Sequence, residues 1–410
     1  MIPRQQPTGC PAPAARADGL EFGNPGHYAA LTCYRKLFLK AAWIPSSWSC
    51  TTTGLIRMPS WQFFVVGRTS VLRHLRKPLH RIAWRHVKPP QYMPQPLPPR
   101  GSKEIPMASV PQTAERKVPF FSVIIPAYNC VGFLREALQS LREQTCKDFE
   151  VIIADSRSTD GTATVASEFP DVPCSVYNID IIGNIAASRN VAAAHATAPW
   201  LAFLDADDFW APGKLARVRD AIGEHPKAIA FCHAENIFRD GQVIGTQSYG
   251  PRGPHLPSSL LFGGNAFSTA ATVLRRDIFE QVGGFDENPS IITAEDYDLW
   301  VRTTPFGESV FLPDVLGCYR LHGGNSTAKL KRHLDATEAV LHKHLTAYQA
   351  RYAWAVYRRM FRFTARCALD MVQHKHWGHA LEYAVRSLGY AVRMAASWRP
   401  TLQACPHSPE

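Results

Sequence analysis

Between Phe120 and Asp155 the chain reads FFSVIIPAYNCVGFLREALQSLREQTCKDFEVIIAD, and this stretch decides the fold. FFSVII is a short apolar run rich in β-branched residues, the composition of a strand buried on both faces. VGFLREALQSLREQ then places Leu134, Ala137, Leu138 and Leu141 on one face of a helix. FEVIIA is a second buried strand. The alternation continues through GTATVASEF, read as a helix, and the Ala-rich helix IAASRNVAAAHA, and reaches a further strand, WLAFLD. Buried strands alternating with helices imply an α/β fold, a mostly parallel sheet covered on both sides. Such sheets bind ligands beyond the carboxyl ends of their strands.

Charge is unevenly spread along the 410 residues. The formal net charge is +11, yet residues 118–328 hold 15 Lys and Arg against 25 Asp and Glu; residues 1–117 hold 17 against 4 and residues 329–399 hold 13 against 4. An acidic centre between basic flanks is not a phosphate-tracking surface, so nucleic acid is excluded as the partner. The ten cysteines include no CxxC pair and read as reduced thiols. No apolar run reaches the ~20 residues that span a bilayer, and no signal-peptide pattern opens the chain. The expected location is the cytoplasm, with peripheral contact at the cytoplasmic face of the inner membrane.

Polar motifs fall where the strands end. PAYN (Pro126–Asn129) follows the first strand, and Tyr128 offers a ring for stacking on a nucleotide base. In ADSRSTDGT, Asp155 ends the second strand and is placed to accept a proton from base or ribose, whereas Asp160 is a helix cap. LDADDFW sets Asp205, Asp207 and Asp208 directly after WLAFL. Carboxylates so close repel unless a cation neutralises them, which points to Mg²⁺ or Mn²⁺ with positions left open for a diphosphate. AEDYDLWVR opens a helix with Glu295 and Asp296, one of them suited to take a proton from an acceptor hydroxyl. In YRLHGGNST, His322 precedes a Gly-Gly turn and is a candidate metal or phosphate contact.

Taken in order, SVIIPAYN, ADSRSTDGT, AASRN, LDADD, AEDYDLW and YRLHGGNST resemble the family 2 glycosyltransferases of GT-A fold, over about half of the chain. The resemblance implies transfer of a sugar from a nucleotide-diphosphate sugar to a glycan or lipid-linked acceptor, with inversion, in cell-surface polysaccharide biosynthesis. It assigns Pro126, Tyr128, Asn129 and Asp155 to the nucleotide, Arg189 to the diphosphate region, Asp205 to ribose and metal, and Asp207 and His322 to the metal. Asp208 is a substitute ligand, Asp296 the catalytic base and Glu295 its neighbour near the acceptor. Ser156 and Arg157 stand where the family often has Asp-Gly. The chain lacks the QxxRW motif of processive synthases, so single-residue transfer is expected.

These readings divide the chain into a poorly structured basic region (1–117), a catalytic domain (118–328), a basic helical extension (329–400) and a tail (401–410). Within the extension, Arg351, Arg358, Arg359, Arg362 and Arg366 interleave with Trp354, Tyr357, Phe361 and Phe363. Such a helix either caps the catalytic domain or lies on an anionic membrane surface. Two rival functions stand beside the leading one. A nucleotidyltransferase also pairs carboxylates on an α/β fold but needs a basic Gly-rich loop that PAYNCVGF does not supply, and an inactive membrane-associated scaffold has no use for an acidic cluster.

Overall fold

The computed structural model describes residues 118–251, 256–323 and 330–397. The expectations for 1–117 and 401–410, and the Gly324–Thr327 part of YRLHGGNST, lie outside the described residues. In chain order, β1 (Phe121–Ala127) leads to α1 (Val131–Arg142), β2 (Phe149–Asp155), a 3₁₀ segment (Thr162–Glu168) and β3 (Cys174–Asn178). Next come α2 (Ile185–Ala194), β4 (Trp200–Phe203), β5 (Phe209–Trp210), α3 (Lys214–Glu224), β6 (Ala228–Arg239) and β7 (Gln242–Gln247). Then follow α4 (Leu256–Gly263), β8 (Thr272–Arg275), α5 (Arg276–Gln281), α6 (Glu295–Thr303) and β9 (Glu308–Arg320). Two long helices, α7 (Leu330–Gln373) and α8 (Trp377–Ala396), complete the described chain.

The strands form one sheet in the order β3-β2-β1-β4-β8-β6-β9-β5, with β7 paired to β6. β1 runs parallel to β2 and β4, and β2 parallel to β3, so the first half is the α/β unit the alternation predicts. Beyond β4 the sheet is mixed: β8 is antiparallel to both neighbours, while β6 and β9 are parallel. That is where the alternation of the sequence loosens. β1 buries side chains on both faces, Phe121, Val123 and Ile125 against Leu134 and Leu138 of α1, and Ile124 against the Ala-rich face of α2. The expected helix at GTATVASEF is instead a 3₁₀ turn. Its β-branched Thr162, Thr164 and Val165 disfavour a full α-helix, and Gly161 enters it at φ +92°. β3, rich in polar residues and lying at the sheet edge, carried no clear pattern in the sequence.

α7 settles the first of the two fates open to the basic extension. Val340, Leu341, Leu345, Val356 and Met360 are buried in the same core as Trp300 and Phe267, and Phe363 packs against it. The helix is therefore a cap on the catalytic unit, kinked at Tyr352 (φ −128°, ψ 33°). Among the described residues no helix is long and apolar enough to cross a membrane.

Candidate active site

The two loops after β1 and β2 are stapled to each other by their own polar groups. Asn129, held at φ +44°, accepts from Thr159 N–H at 2.8 Å through Oδ1, while its own N–H donates to Ser158 Oγ at 2.8 Å. Asp160 accepts from the N–H of Val131, the first residue of α1, at 3.0 Å and from Thr162 N–H at 3.0 Å. Asp160 is thus a cap, as expected, but it serves the helix of the preceding unit as well as its own turn. Pro126 is buried within β1, at a level of the sheet where β4 no longer pairs and no N–H is needed.

This stapling leaves two groups presented. Tyr128 is half-exposed, its ring standing out from the loop. Asp155 is buried, with Oδ2 accepting from Ser158 N–H at 3.0 Å and Oδ1 without a protein partner. A buried acceptor with an unused oxygen is costly unless something else satisfies it, which is what a bound base or ribose would do.

After β4 the chain turns sharply, Asp208 N–H donating to Asp205 O at 3.0 Å. Burial alternates along this extended turn, so Asp205 and Asp207 face the cleft while Ala206 and Asp208 face inward. Asp208 is 2 % exposed and accepts from Arg320 N–H at 2.8 Å. Burial, then repulsion from Asp207, pushes its pKa well above the ordinary carboxylate range. Through Oδ1 Asp208 thus fastens the acidic turn to β9, while its buried Oδ2 has no protein partner. Arg320 completes that fastening, donating to Asp207 O at 2.8 Å and to Glu136 of α1 at 2.5 Å, with its guanidinium over the rings of Phe133, Phe209 and Phe238. Sequence reasoning passed over Arg320, although it stands two residues before His322.

His322 Nε2 lies 2.9 Å from Asp207 Oδ2, and its ring rests on Phe133. Burial, then the neighbouring Asp205, raises the pKa of Asp207, while His322 lowers it. Among the described residues no three His, Cys, Asp or Glu side chains are gathered into a ready-made cage. The donor set nevertheless fits a hard divalent ion, since Mg²⁺ and Mn²⁺ sites commonly use one or two carboxylates and leave the rest of the shell to water and phosphate oxygens.

Arg189 joins the two acidic motifs. It is 3 % exposed, its Nη2 lies 2.5 Å from Asp205 Oδ1, and its Nη1 lies 2.7 Å from Glu295 Oε1. Both terminal nitrogens are therefore engaged by carboxylates, and the guanidinium lies against Phe285. In this arrangement it clamps the β4 turn to α6, and its buried Nε has no protein partner. Its neighbour Asn190 holds the other side of the joint, exchanging hydrogen bonds with the backbone of Phe285 at 2.8 and 2.9 Å. Gly284 sits there at φ +73°, where a Cβ would come within 2.6 Å of Asn190 Oδ1.

The start of α6 is strained. Thr293, a β-branched residue, is held at φ +90°, with its N–H donating to Glu295 Oε2 at 2.7 Å and its carbonyl 2.8 Å from His333 Nδ1 of α7. Asp296, half-buried, accepts from Tyr297 N–H at 2.7 Å and from Asn265 and Thr269 at 3.3 Å each. Burial, then the charge of Glu295, pushes its pKa up to about 6, against the pull of Arg189. A carboxylate of that basicity suits proton abstraction near neutral pH.

Comparison with known proteins adds a family to this geometry. The model of glycosyl transferase family 2 matches residues 122–283. The amylovoran biosynthesis glycosyltransferase AmsB of Erwinia amylovora is 31% identical over 261 residues, 59% of this chain and 84% of that protein. The putative teichuronic acid biosynthesis glycosyltransferase TuaG of Bacillus subtilis is 27% identical over 50% of this chain and 79% of its own length. Among solved structures, S. aureus TarS 1–349 in complex with UDP-GlcNAc aligns with 68% of this chain and 91% of its own, at 16% identity and a TM-score of 0.47.

Proposed function

The chain belongs to glycosyl transferase family 2, and on that premise we propose that it moves one sugar from a nucleotide-diphosphate sugar to a glycan or lipid-linked acceptor, with inversion, in building a polysaccharide. The names of AmsB, an amylovoran biosynthesis glycosyltransferase, and TuaG, a putative teichuronic acid biosynthesis glycosyltransferase, support the polysaccharide. One observation carries the mechanism: a single buried guanidinium, Arg189, ties the metal-facing turn to the helix end that bears Asp296. It supports a cleft in which leaving group and acceptor meet across one sugar.

In this reading Tyr128 stacks on the base and the unused Oδ1 of Asp155 accepts from base or ribose. Asp205 contacts the ribose and, with Asp207 and His322, holds Mg²⁺ or Mn²⁺. The metal, when bound, draws off the charge that builds on the departing diphosphate. Asp296 takes the proton of the acceptor hydroxyl as that oxygen bonds to the anomeric carbon and the bond to the diphosphate breaks. Glu295 orients α6 through Arg189 and the Thr293 N–H, so it positions the base. Asn265 and Thr269 hold the Asp296 carboxylate in place. The catalytic domain is proposed to span 118–328, with 329–400 as its helical extension.

A panel of nucleotide sugars, with and without Mn²⁺, tests this by nucleotide release. Release of one nucleotide, dependent on metal, is the expected result. Binding of no donor would overturn the reading, and metal-independent release would remove the metal from it.

A further inference from the structure

α8 presents an unusual surface. Ala380, Tyr383 and Ser387 turn inward against α7, where Tyr383 donates to Asp335 at 2.8 Å and Ser387 reaches Phe361 O at 3.4 Å. The opposite face carries Trp377, Leu381, Val385, Leu388 and Val392, each between 60% and 69% exposed. Their spacing of three and four residues makes one continuous apolar stripe along a five-turn helix. Leu369 and Val372, exposed near the end of α7, lie next to the turn that leads into Trp377. A stripe of this length exceeds the scattered apolar residues normal on a soluble surface and marks a contact site.

Charge decides what the stripe contacts. Residues 330–397 contain eleven Lys and Arg and four Asp and Glu. All four carboxylates are already engaged within the hairpin: Asp335 by Lys331 and Arg386, Glu338 by Arg386, Asp370 by Arg366 and Glu382 by Arg386. Among the described residues Arg351, Arg358, Arg362, Lys375 and Arg393 have no carboxylate within ion-pair distance. A second copy packed hairpin to hairpin, α8 against α8, would bring more of these cations and no spare carboxylate. A surface of anionic headgroups over an apolar interior supplies both missing partners.

We propose that the outer face of α8 docks on an anionic lipid bilayer, its apolar stripe at the acyl boundary and the arginines of the hairpin at the headgroup phosphates. The helix lies in the plane of the interface and does not cross it. The sequence left the aromatic and basic stretch of α7 open to either a cap or a membrane surface; tertiary packing buries Val356 and Met360 of that stretch in the core and leaves the continuous exposed apolar face on α8. The proposal does not depend on the chemistry of the cleft, because binding is read without donor or acceptor.

Flotation of the full chain with vesicles of phosphatidylcholine, alone or with about one-third phosphatidylglycerol, tests it. Wild-type protein should float with the anionic vesicles and much less with the neutral ones. L381E/L388E, at positions that touch no core, should weaken flotation at least about tenfold with an unchanged thermal melt. R358Q/R362Q/R393Q should weaken it by about fivefold per arginine and remove most of its salt sensitivity. Failure of the wild type to float, or flotation unaffected by either variant, overturns the proposal. So does a dimer in sedimentation velocity that L381E/L388E converts to monomer without changing flotation, which would give the stripe to a second copy.

Discussion

Asp296 and Asp298 stand two residues apart on α6 and are treated in opposite ways. Asp298 is fully buried and ringed by partners: the cations Arg302 at 2.7 Å and Lys343 at 2.6 Å, and the His344 ring at 2.7 Å. Despite its burial, these partners, with the hydrogen bond from His344 foremost, hold its pKa far below the usual carboxylate range. Asp296 has no cation in contact, a like charge beside it in Glu295, and a pKa raised to about 6. One carboxylate is spent on fixing α7 to the catalytic unit, and the other is kept destabilised and basic at the cleft. The contrast teaches that acidic residues in one motif divide into structure and chemistry according to what faces them from other elements.

The contrast can be broken experimentally, beginning with the largest effect. Asp296→Asn should lower kcat by about 10² to 10⁴ while donor affinity, read by calorimetry, changes little. An equal loss of donor binding would show that Asp296 does not act on the acceptor. Asp298→Asn should leave the buried Arg302 without its counter-charge, and Lys343 with Asp286 alone, and cost about 3–5 kcal/mol in denaturant unfolding. Its turnover per folded molecule should stay near that of the wild type; a loss as deep as that of Asp296→Asn would merge the two roles.

The pH dependence sharpens the same point. Asp296 works as a base only when ionised, so kcat/KM should fall by about tenfold per unit as pH drops below about 6. Stability should move oppositely for the two residues. The folded pKa of Asp296 lies above its unfolded value, so the folded state holds that proton more tightly, and stability is lost as pH rises between the two values. Asp298 has a depressed folded pKa, so its contribution is present above the unfolded pKa and lost as pH falls below it. The smallest expected effect follows: Asp296→Asn should raise stability at pH 7 by about 1–3 kcal/mol, seen as a higher Tm in an inactive protein.

Much of this was legible along the chain. Apolar runs flanked by Asp155 and by Asp205–Asp208 located the ends of β2 and β4, because a strand buried on both faces must be apolar and its polar groups collect where it stops. The pairing of Arg189 was not legible. Its partners lie 16 and 106 residues away, and nothing local distinguishes an arginine that meets a phosphate from one that meets two carboxylates. The inward turn of Asp208 was equally hidden, since it depends on the register that brings Arg320 N–H of β9 against it. Arg320 itself was missed because its role is read from three rings and a carbonyl supplied by other strands and helices.

The amino-acid sequence by itself determined the α/β alternation, the positions of the acidic motifs, their family and the basic character of the helical end, because each follows from periodicity and composition within a few residues. Tertiary structure alone decided which carboxylate is neutralised and which is left basic, and which of two helices carries the exposed apolar face. Those outcomes depend on partners brought together from distant parts of the chain, and on the low-dielectric interior that makes each such pairing, or its absence, count.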